Sequence, residues 1–400
     1  MTGPRPLRLF LVAGEHSGDA LGAKLMAALA SQHDGPISYG GVGGELMEAQ
    51  GLASLFPMSD VAVMGPGAIL RRLAPIIRRV YQTVDAAVAF APDVVVIIDS
   101  PEFTHPIARR IRKRRPEIPI VDYVSPSVWA WRPGRAKAMR PFVDHLLALL
   151  PFEPAAHVRL GGPPCTYVGH PLVERIETIA ALDPEPLRRR LGLDAAKPVL
   201  VVLPGSRRSE VGRLVDVFRE TVGRIVAGGI VPEVVIPVVP NVRAMIEEGL
   251  GAWAVRPHLV SGEDDKWLAF RLADGALAAS GTVTLELAVA GTPMVIAYRV
   301  ERWFAPLLRR LLKTDTAGLS NLVVGRKVFP ELMQEDCTPE RLAAAVAPLL
   351  ADTPVRRAQQ TALREIPARL AVPHGRPSEL AGEIVLRHAQ EKRPAAPERG

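Results

Sequence analysis

Apolar runs alternate with Gly- or Ser-bearing turns and helix-like stretches along the chain. The first-half runs are "LRLFLVAG" (7–14), "ISYGGVGG" (37–44), "DVVVIIDS" (93–100), "IPIVDYVS" (118–125) and "HLLALLP" (145–151). A second series comprises "PVLVVLPGS" (198–206), "EVVIPVV" (233–239), "DGALAAS" (274–280) and "TPMVIAYR" (292–299). Continuous apolar runs such as "VVVIID" are typical of parallel strands buried on both faces. Strands that alternate with helices predict doubly wound α/β sheets.

The two series predict two Rossmann-like domains that face each other across a cleft. We expect an N-terminal domain over 1–172, a charged linker over 173–196 and a C-terminal domain over 197–345. C-terminal helices over 346–390 and a disordered tail over 391–400 complete the chain. A length of 400 residues suits two domains of ordinary size.

Composition narrows the class of protein. The apolar fraction is 48%, which argues against disorder, and two cysteines, Cys165 and Cys337, provide no disulfide framework. The chain shows neither a secretory leader nor an apolar run long enough to span a membrane, so we expect a cytoplasmic protein. The net charge of +7 favours nucleic acid, an anionic membrane surface or a phosphorylated substrate, unless the basic surface has no partner.

Two turns in the second half are suited to phosphate. In "LPGSRRSE" (203–210), a buried strand ends, and Ser206 and Arg207 stand at the start of a helix. In "ASGTVTLE" (279–286), Ser280, Gly281 and Thr282 offer donors at another helix start, and Glu286 follows one turn later, where it can accept from ribose hydroxyls. Together they predict a nucleotide-diphosphate site. For the first of these turns, in residues 203–210, the alternative is a plain strand-to-helix turn with solvated arginines.

Two carboxylates follow strands in the first half. Asp99 ends "VVVIID", where ligands of parallel sheets bind, and is the candidate general base; an Asx-turn or a helix cap is the alternative. In "LVAGEHSGDALG" (11–22), Glu15 suits hydroxyl recognition or general-base work, or it only supports the turn. We assign Asp19 to its own helix start, with Ser17 as the N-cap.

Aromatic and basic residues cluster in three places. "YVSPSVWAWRPGR" (123–135) contains Trp129, Trp131, Arg132 and Arg135, which suit base stacking, a membrane interface or a loop wedged into the core. Nucleic acid is the least favoured of these, because basic and aromatic residues interleave nowhere else. The segments 69–81 and 303–313 alternate apolar pairs with Arg pairs, which fits helices lying on a membrane or packed on a domain surface.

These stretches, in this order, closely resemble the lipid-A-disaccharide synthase family of glycosyltransferases. The matching motifs lie over roughly residues 8 to 350 and are "VAGEHSGDALGAKLM", "GVGGELMEAQG", "VAVMG", "PDVVVIIDSPEF", "YVSPSVWAWRPGR", "LPFE", "YVGHPL", "LPGSRRSE", "SGTVTLE", "KTD" and "LSNLVVGRKVFPELMQEDCTPE". The combination is specific to the family, although each motif alone is not.

The resemblance implies a GT-B fold and an inverting hexosyltransferase. Its reaction joins UDP-2,3-diacylglucosamine to 2,3-diacylglucosamine 1-phosphate and gives the β(1→6) lipid A disaccharide 1-phosphate plus UDP. It also implies no cofactor, no catalytic metal, no nucleic acid and a position on the cytoplasmic face of the inner membrane. The C-terminal helices either pack back on the N-terminal domain or are exchanged within a homodimer.

The resemblance assigns roles residue by residue. Asp99 matches the family's essential aspartate, Ser206 and Arg207 its phosphate loop, Ser280, Gly281 and Thr282 its second phosphate turn, and Glu286 its ribose carboxylate. Asn321, Gln334 and Glu335 match motif positions near the donor. The chain departs from the family pattern at His16, Ala68 and Asp122. These departures affect the acceptor side and leave the donor residues intact.

Two rival functions remain open from the sequence. One is another GT-B enzyme for UDP-sugars, either an epimerase or a transferase with a soluble acceptor, which has no need of the arginine-rich apolar segments. The other is a non-catalytic two-domain binding protein, which would be exported. In the hypothesis we favour, Asp99 takes the proton of the acceptor 6-hydroxyl, with Glu15 as the alternative base.

Overall fold

A computed structural model describes residues 5–61, 73–300, 316 and 318–391. The chain divides into two compact units. One contains residues 1–171 and 372–400, and the other contains residues 172–371. Segments 62–72 and 301–315, with the motif "KTD", Ala68, residues 69–72 of the first arginine-rich segment and all of the second, lie outside the described residues.

The first unit is built on a six-stranded parallel sheet in the order β2-β1-β3-β4-β5-β6. Its strands are β1 Leu7–Ala13, β2 Ile37–Val42, β3 Val94–Ile98, β4 Ile120–Tyr123, β5 His145–Ala148 and β6 Cys165–Tyr167. The direction in which the chain adds strands reverses between β1 and β3. Ligands of doubly wound sheets bind beyond the carboxyl ends of the strands at such a switch point.

Seven helices belong to this unit within the described residues. They are α1 His16–Gln32, α2 Glu45–Ala49, α3 Leu73–Phe90, α4 Pro101–Arg114, α5 Gly134–Met139, α6 Glu153–Leu160 and, from the end of the chain, α16 Pro377–Gln390. Helix α16 packs along α1, and its Leu380, Ile384 and Val385 join the core that contains Leu25 and Leu29. The last helix of the chain is therefore part of the first unit.

The second unit has its own six-stranded parallel sheet, in the order β12-β11-β10-β7-β8-β9. Its strands are β7 Val199–Leu203, β8 Glu233–Pro237, β9 His258–Val260, β10 Gly275–Ala279, β11 Met294–Tyr298 and β12 Glu331–Met333. The switch point lies between β7 and β10, as in a dinucleotide-binding sheet. All of β7 and β10 are buried, which explains their continuously apolar sequences.

The described helices of the second unit cover both faces of its sheet. They are α7 Ile176–Ala180, α8 Glu185–Leu191, α9 Arg208–Ala227, α10 Pro240–Glu247, α11 Glu263–Leu272, α12 Val283–Ala290, α13 Leu319–Val324, α14 Pro339–Val346 and α15 Pro354–Arg369. Thr338 caps α14 by accepting from the Arg341 amide. Helices α9 and α12 begin at the switch point.

Candidate active site

Asp99 lies at the carboxyl end of β3, in a turn that projects its carboxylate from the sheet edge. Asp99 and Ser100 have φ angles of +53° and +45°, a left-handed conformation that turns the chain sharply into α4. The carboxylate accepts from the Ser100 amide at 2.8 Å and from the Ser17 hydroxyl at 3.1 Å. Such strained turns concentrate at functional sites, and the two donors fix the orientation of this half-buried carboxylate.

Glu15 stands in the turn after β1, directly beside the Asp99 turn. A Cβ atom added to Gly14 would lie 2.9 Å from the Ser100 Cβ, so the two turns touch and a side chain at position 14 would separate them. Glu15 is the N-cap residue of α1, and its side chain is partly exposed. The structure therefore brings both candidate bases to the switch point of the first sheet.

Ser17 and Asp19 have other roles than those expected from the sequence. Ser17 is not the N-cap of α1; its hydroxyl donates to Asp99 instead. Asp19 lies in the first turn as expected, but it is buried and accepts from the amides of Gly44, Leu46 and Met47 at 2.8–3.1 Å. It therefore caps α2, a neighbouring helix whose position the sequence of α1 does not reveal.

Asp122, on the strand next to that of Asp99, has a buried histidine partner. Asp122, on β4, lies 3.0 Å from the Nε2 atom of His105, and both side chains are almost fully buried. Burial raises the pKa of the Asp122 carboxyl, the hydrogen bond from His105 opposes that rise, and the charge of Asp99 adds to it. The aspartate that departs from the family pattern thus has a partner inside the unit.

The aromatic loop after β4 divides into a packed part and an exposed part. Trp129 donates to the Glu153 carboxylate at 3.2 Å and packs edge-on against Phe152. Trp131 is 38% exposed and carries the Arg132 guanidinium over its ring at 4.4 Å. Trp129 therefore packs against the rest of the unit, while Trp131 and Arg132 face solvent.

Arg135, Arg132 and Glu102 form an ion-pair group next to this loop. Arg135 donates to Glu102 at 2.7 Å, and Arg132 lies 3.8 Å from the same carboxylate. Glu102 is in the first turn of α4, three residues after Asp99. The basic residues predicted for the acceptor side therefore lie close in sequence and space to the start of α4.

A cavity of about 640 Å³ lies at the switch point of the second sheet. Six residues predicted for the donor line it: Ser206, Arg207, Ser280, Gly281, Thr282 and Glu286. Further lining residues are apolar and comprise the segment from Pro237 to Pro240 together with Val260, which we call the apolar wall. A cavity that combines polar helix starts with an apolar wall fits a nucleoside diphosphate.

Glu210, which the sequence reasoning did not single out, lies in the anion-binding part of this cavity. Its carboxylate accepts from the Ser206 and Arg207 amides at 3.2 and 3.3 Å and pairs with the Arg207 guanidinium at 2.8 Å. Gly205 has a φ of +121°, and a Cβ there would lie 2.6 Å from the Glu210 Cβ. The sequence lacks the usual capping-box pattern, because the N-cap residue is Arg207 rather than Ser or Thr and Glu210 stands four residues after Ser206.

Asn321, Gln334 and Glu335 are not among the residues that line the cavity. Asn321 is buried, accepts from the Val328 and Phe329 amides at 2.9 and 3.0 Å, and donates to the Phe329 carbonyl and to Glu331. It therefore holds the turn between α13 and β12. Gln334 accepts from the Val300 amide at 3.3 Å, and Glu335 is exposed.

Within the ranges 5–61, 73–300 and 318–391, His, Cys, Asp and Glu side chains form no group of three that could hold a metal ion. No helix in those same ranges is long and apolar enough to cross a membrane.

Solved structures of nucleotide-sugar enzymes share this architecture. A UDP-GlcNAc 2-epimerase from Neisseria meningitidis bound to UDP-GlcNAc superposes with a TM-score of 0.56 at 12% identity, covering 96% of this chain and 100% of that one. A glycosyltransferase from Rickettsia africae gives 0.61 at 10% identity, covering 97% and 100%. Two doubly wound parallel sheets, each in its own unit, define the GT-B class of fold, as the sequence predicted.

Sequence comparison identifies the family within that class. A family model described as lipid-A-disaccharide synthetase matches residues 9–384. A lipid-A-disaccharide synthase from Rhodopseudomonas palustris is 52% identical over 379 residues, or 95% of each chain, and one from Ruegeria pomeroyi is 44% identical over 96% of this chain and 95% of that one. The chain belongs to the lipid-A-disaccharide synthase family and is a glycosyltransferase.

Proposed function

We propose that this chain joins UDP-2,3-diacylglucosamine to 2,3-diacylglucosamine 1-phosphate, giving the β(1→6) lipid A disaccharide 1-phosphate and UDP. The observation that carries the proposal is the cavity of the second unit. It gathers six predicted donor residues at one switch point, in a chain that belongs to this family. The diphosphate is held at the starts of α9 and α12, and the nucleoside lies along the apolar wall.

The chemistry is an inverting displacement. The Asp99 carboxylate takes the proton of the acceptor 6-hydroxyl, whose oxygen forms the new bond to the anomeric carbon of the donor. The bond from that carbon to the diphosphate oxygen breaks, and UDP leaves with the electron pair. Attack from the side opposite UDP inverts the anomeric centre. Ser17 and Ser100 orient the base.

Charge on the departing UDP is stabilised by Arg207 and by the two helix starts. In the structure Arg207 is paired with Glu210, so binding exchanges one carboxylate partner for a phosphate. This arrangement supplies positive charge from the chain itself, and we propose that turnover needs no resident cofactor or metal ion. Activity that persists undiminished after exhaustive chelation would agree with this.

The acceptor and the membrane surface belong to the first unit in this proposal. Trp131 and Arg132 are exposed at the aromatic loop, and Ile77 and Tyr81 are exposed on α3. Apolar side chains beside arginines suit the interface of an anionic bilayer, where acylated sugars reside. We propose a peripheral position on the inner membrane.

A homodimer with exchanged C-terminal helices is a further part of the proposal. Helix α16 packs on α1 of its own chain here, and an exchange would form the same contact between two chains. Light scattering of the purified protein measures the mass in solution, and a mass of one chain would exclude the dimer.

The decisive experiment incubates the purified protein with both acylated sugars and measures released UDP together with the disaccharide by mass spectrometry. We expect equimolar UDP and disaccharide, and no UDP when the acceptor is omitted. Conversion of UDP-GlcNAc without an acceptor would instead support an epimerase. UDP binding without turnover of any sugar would support a non-catalytic protein, and transfer to a water-soluble sugar would support the soluble-acceptor rival.

A further inference from the structure

One cation in the nucleotide cavity has no role in the function proposed above. Lys266, on α11, lines the cavity, and its Nζ atom lies 2.8 Å from Glu263 and 3.2 Å from Glu286. It thus bridges two carboxylates that face the same space. Neither the resemblance nor the phosphate-loop pattern points to this lysine.

The surroundings of Lys266 hold it in place. Trp267, the next residue, is almost completely buried and donates from its indole Nε1 to Glu263 at 3.1 Å. Lys266 also lies 5.0 Å from the centre of the Trp267 ring. Burial alone would raise the pKa of Glu263, but hydrogen bonds from Lys266, Trp267 and Arg175 hold it below its usual value. The first turn of α11 therefore carries a connected network of ion pairs and hydrogen bonds around Glu263.

The contact with Glu286 differs from an ordinary surface ion pair. The side chains of Lys266 and Glu286 are only 20% and 21% exposed, so water screens their attraction less than at an open surface. Lys266 contacts the Oε1 atom of Glu286. A carboxylate held through one oxygen has fewer orientations to lose when it accepts from a ligand, and such preorganisation increases affinity.

The negative charge of Glu286 lies in the same cavity as the proposed diphosphate and must be offset. Glu286 shares its cavity with Ser280, Gly281 and Thr282, which we assign to the diphosphate, and a carboxylate repels a diphosphate. A cation between Glu263 and Glu286 offsets that repulsion while leaving Glu286 able to accept from hydroxyls. Lys266→Met would keep most of the side-chain volume but remove the charge.

We infer that Lys266 is the positioning residue that gives the nucleotide cavity its preference for ribose, because it orients the Glu286 carboxylate toward the ribose hydroxyls. The inference rests on the proposed function in one respect, namely that the cavity binds UDP. It goes further by assigning sugar selectivity within the nucleotide to an ion pair between α11 and α12.

The test compares UDP with 2′,3′-dideoxy-UDP, which lacks both hydroxyls, by calorimetric titration. Since hydrogen bonds to charged groups contribute about 10-fold or more in affinity, we expect the wild-type protein to prefer UDP by roughly that factor. Lys266→Met should weaken the binding of both nucleotides, because the charge of Glu286 is then no longer offset near the diphosphate. It should weaken UDP binding more than dideoxy-UDP binding, so that the preference shrinks. Lys266→Arg, which can still bridge two carboxylates, should restore much of it.

Three further variants make the result specific. Glu286→Gln should abolish the preference, and the double variant Lys266→Met/Glu286→Gln should show no additional loss of preference. Lys197→Met is the matched control, because Lys197 pairs with Asp194 and Glu233 and is not among the cavity-lining residues. It removes the same charge from the same unit and should leave the preference intact.

The outcomes separate this inference from the proposed function. Equal losses for both nucleotides in Lys266→Met would overturn it, because Lys266 would then act as a general cation for phosphate. A wild-type protein that binds both nucleotides equally would also overturn it. Failure of sugar transfer with the ribose preference preserved would reject the proposed function alone. If Lys266→Met does not fold, Lys266→Gln gives the same comparison.

Discussion

At the scale of single residues, the orientation of Asp99 matters most. Its carboxylate accepts from Ser17 and Ser100, and its carbonyl accepts from the Thr104 hydroxyl at 2.8 Å. Asparagine keeps the shape of the side chain but is a much weaker base. We expect Asp99→Asn to lower turnover about 10²–10⁴-fold, the usual contribution of a positioned general base. UDP affinity should be unchanged, because the cavity that we propose for UDP belongs to the other unit.

The measurement is disaccharide formation at saturating substrates, with thermal unfolding as the control for folding of the first unit and UDP titration as the control for the cavity of the second unit. Glu15→Gln is assayed in parallel, because its turn touches that of Asp99. Activity within a few-fold of wild type in Asp99→Asn, together with a large loss in Glu15→Gln, would assign the base to Glu15 instead.

Arg207 is the cation that we expect to bind the diphosphate of UDP. We expect Arg207→Ala to weaken UDP binding by roughly 10–100-fold, the usual effect of losing a charge-assisted hydrogen bond. Calorimetric titration measures this. Arg219→Ala is the control, since Arg219 lies on the same helix, α9, and pairs with Asp216 outside the cavity. An unchanged UDP titration in Arg207→Ala would remove this arginine from the site.

Glu153 predicts a pH effect on stability. Burial raises the pKa of its carboxyl from 4.5 to about 7, against hydrogen bonds from Leu150 and Trp129. The unfolded carboxyl titrates near 4.5, so between that pH and about 7 the folded chain binds more protons than the unfolded chain. The stabilisation from a protonated Glu153 is therefore present at low pH and is lost as the pH rises through about 7.

Glu153→Gln, which stays uncharged, should show no such loss. Relative to this variant, the wild-type protein should lose up to about 3 kcal/mol of unfolding free energy between pH 5 and pH 8. Thermal unfolding of both proteins across that range measures the difference. Burial, complete for His157 and partial for His145 and His170, lowers the pKa values of these histidines to about 4, and their opposite effect is common to both proteins and cancels. A constant difference would contradict the prediction.

Single residues also show which side-chain contacts a local sequence pattern does not predict. Asp99 could be predicted because a buried apolar run ends at a carboxylate, which local pattern alone reveals. The Ser17 contact to Asp99, the Asp19 cap on α2 and the His105 partner of Asp122 join residues 82, 27 and 17 positions apart. Such contacts depend on which strands become neighbours. Lys266 was missed for the same reason, since its partner Glu286 is on another helix.

At the scale of elements, the length of each strand decided whether the sequence predicted it. Nine apolar runs correspond to β1–β5, β7, β8, β10 and β11. The strands not singled out, β6, β9 and β12, have three residues each and lie at sheet edges. An edge strand pairs on one side only and is only partly buried, so it needs no continuous apolar run, and its sequence carries a weak signal.

The packing of helix α16 on α1 predicts how much this helix contributes to the stability of the first unit. Ile384 is 4% exposed in the core shared with α1. Ile384→Ala should lower the unfolding free energy of the first unit by about 2–5 kcal/mol, the usual range for a buried isoleucine. Val355→Ala, on the exposed side of α15, should change stability by less than about 0.5 kcal/mol.

Thermal unfolding with and without UDP distinguishes the units in these variants. UDP should bind Ile384→Ala with unchanged affinity, because the second unit has a separate core. Equal stability of Ile384→Ala and the wild-type protein would show that α16 is not held on α1.

At the scale of the whole molecule, charge and the exposed face of α3 bear on the membrane proposal. The chain carries a net charge of +7, and Ile77 and Tyr81 are 46% and 51% exposed one helical turn apart, with Arg78 beside them. We expect the protein to sediment with vesicles that contain phosphatidylglycerol at low salt. Binding should weaken at about 0.5 M salt, because ions screen the attraction of arginines to lipid phosphates.

The double variant Ile77→Ser/Tyr81→Ser should reduce sedimentation, since on our proposal the apolar side chains would insert below the lipid phosphates while the arginines remain above them. Val158→Ser is the matched control, because Val158 is 83% exposed on α6 of the same unit and has no arginine pair on either side. If both variants lose binding equally, the contact is not specific to α3. If the wild-type protein stays in solution at low salt, the peripheral position is wrong and a soluble acceptor is favoured.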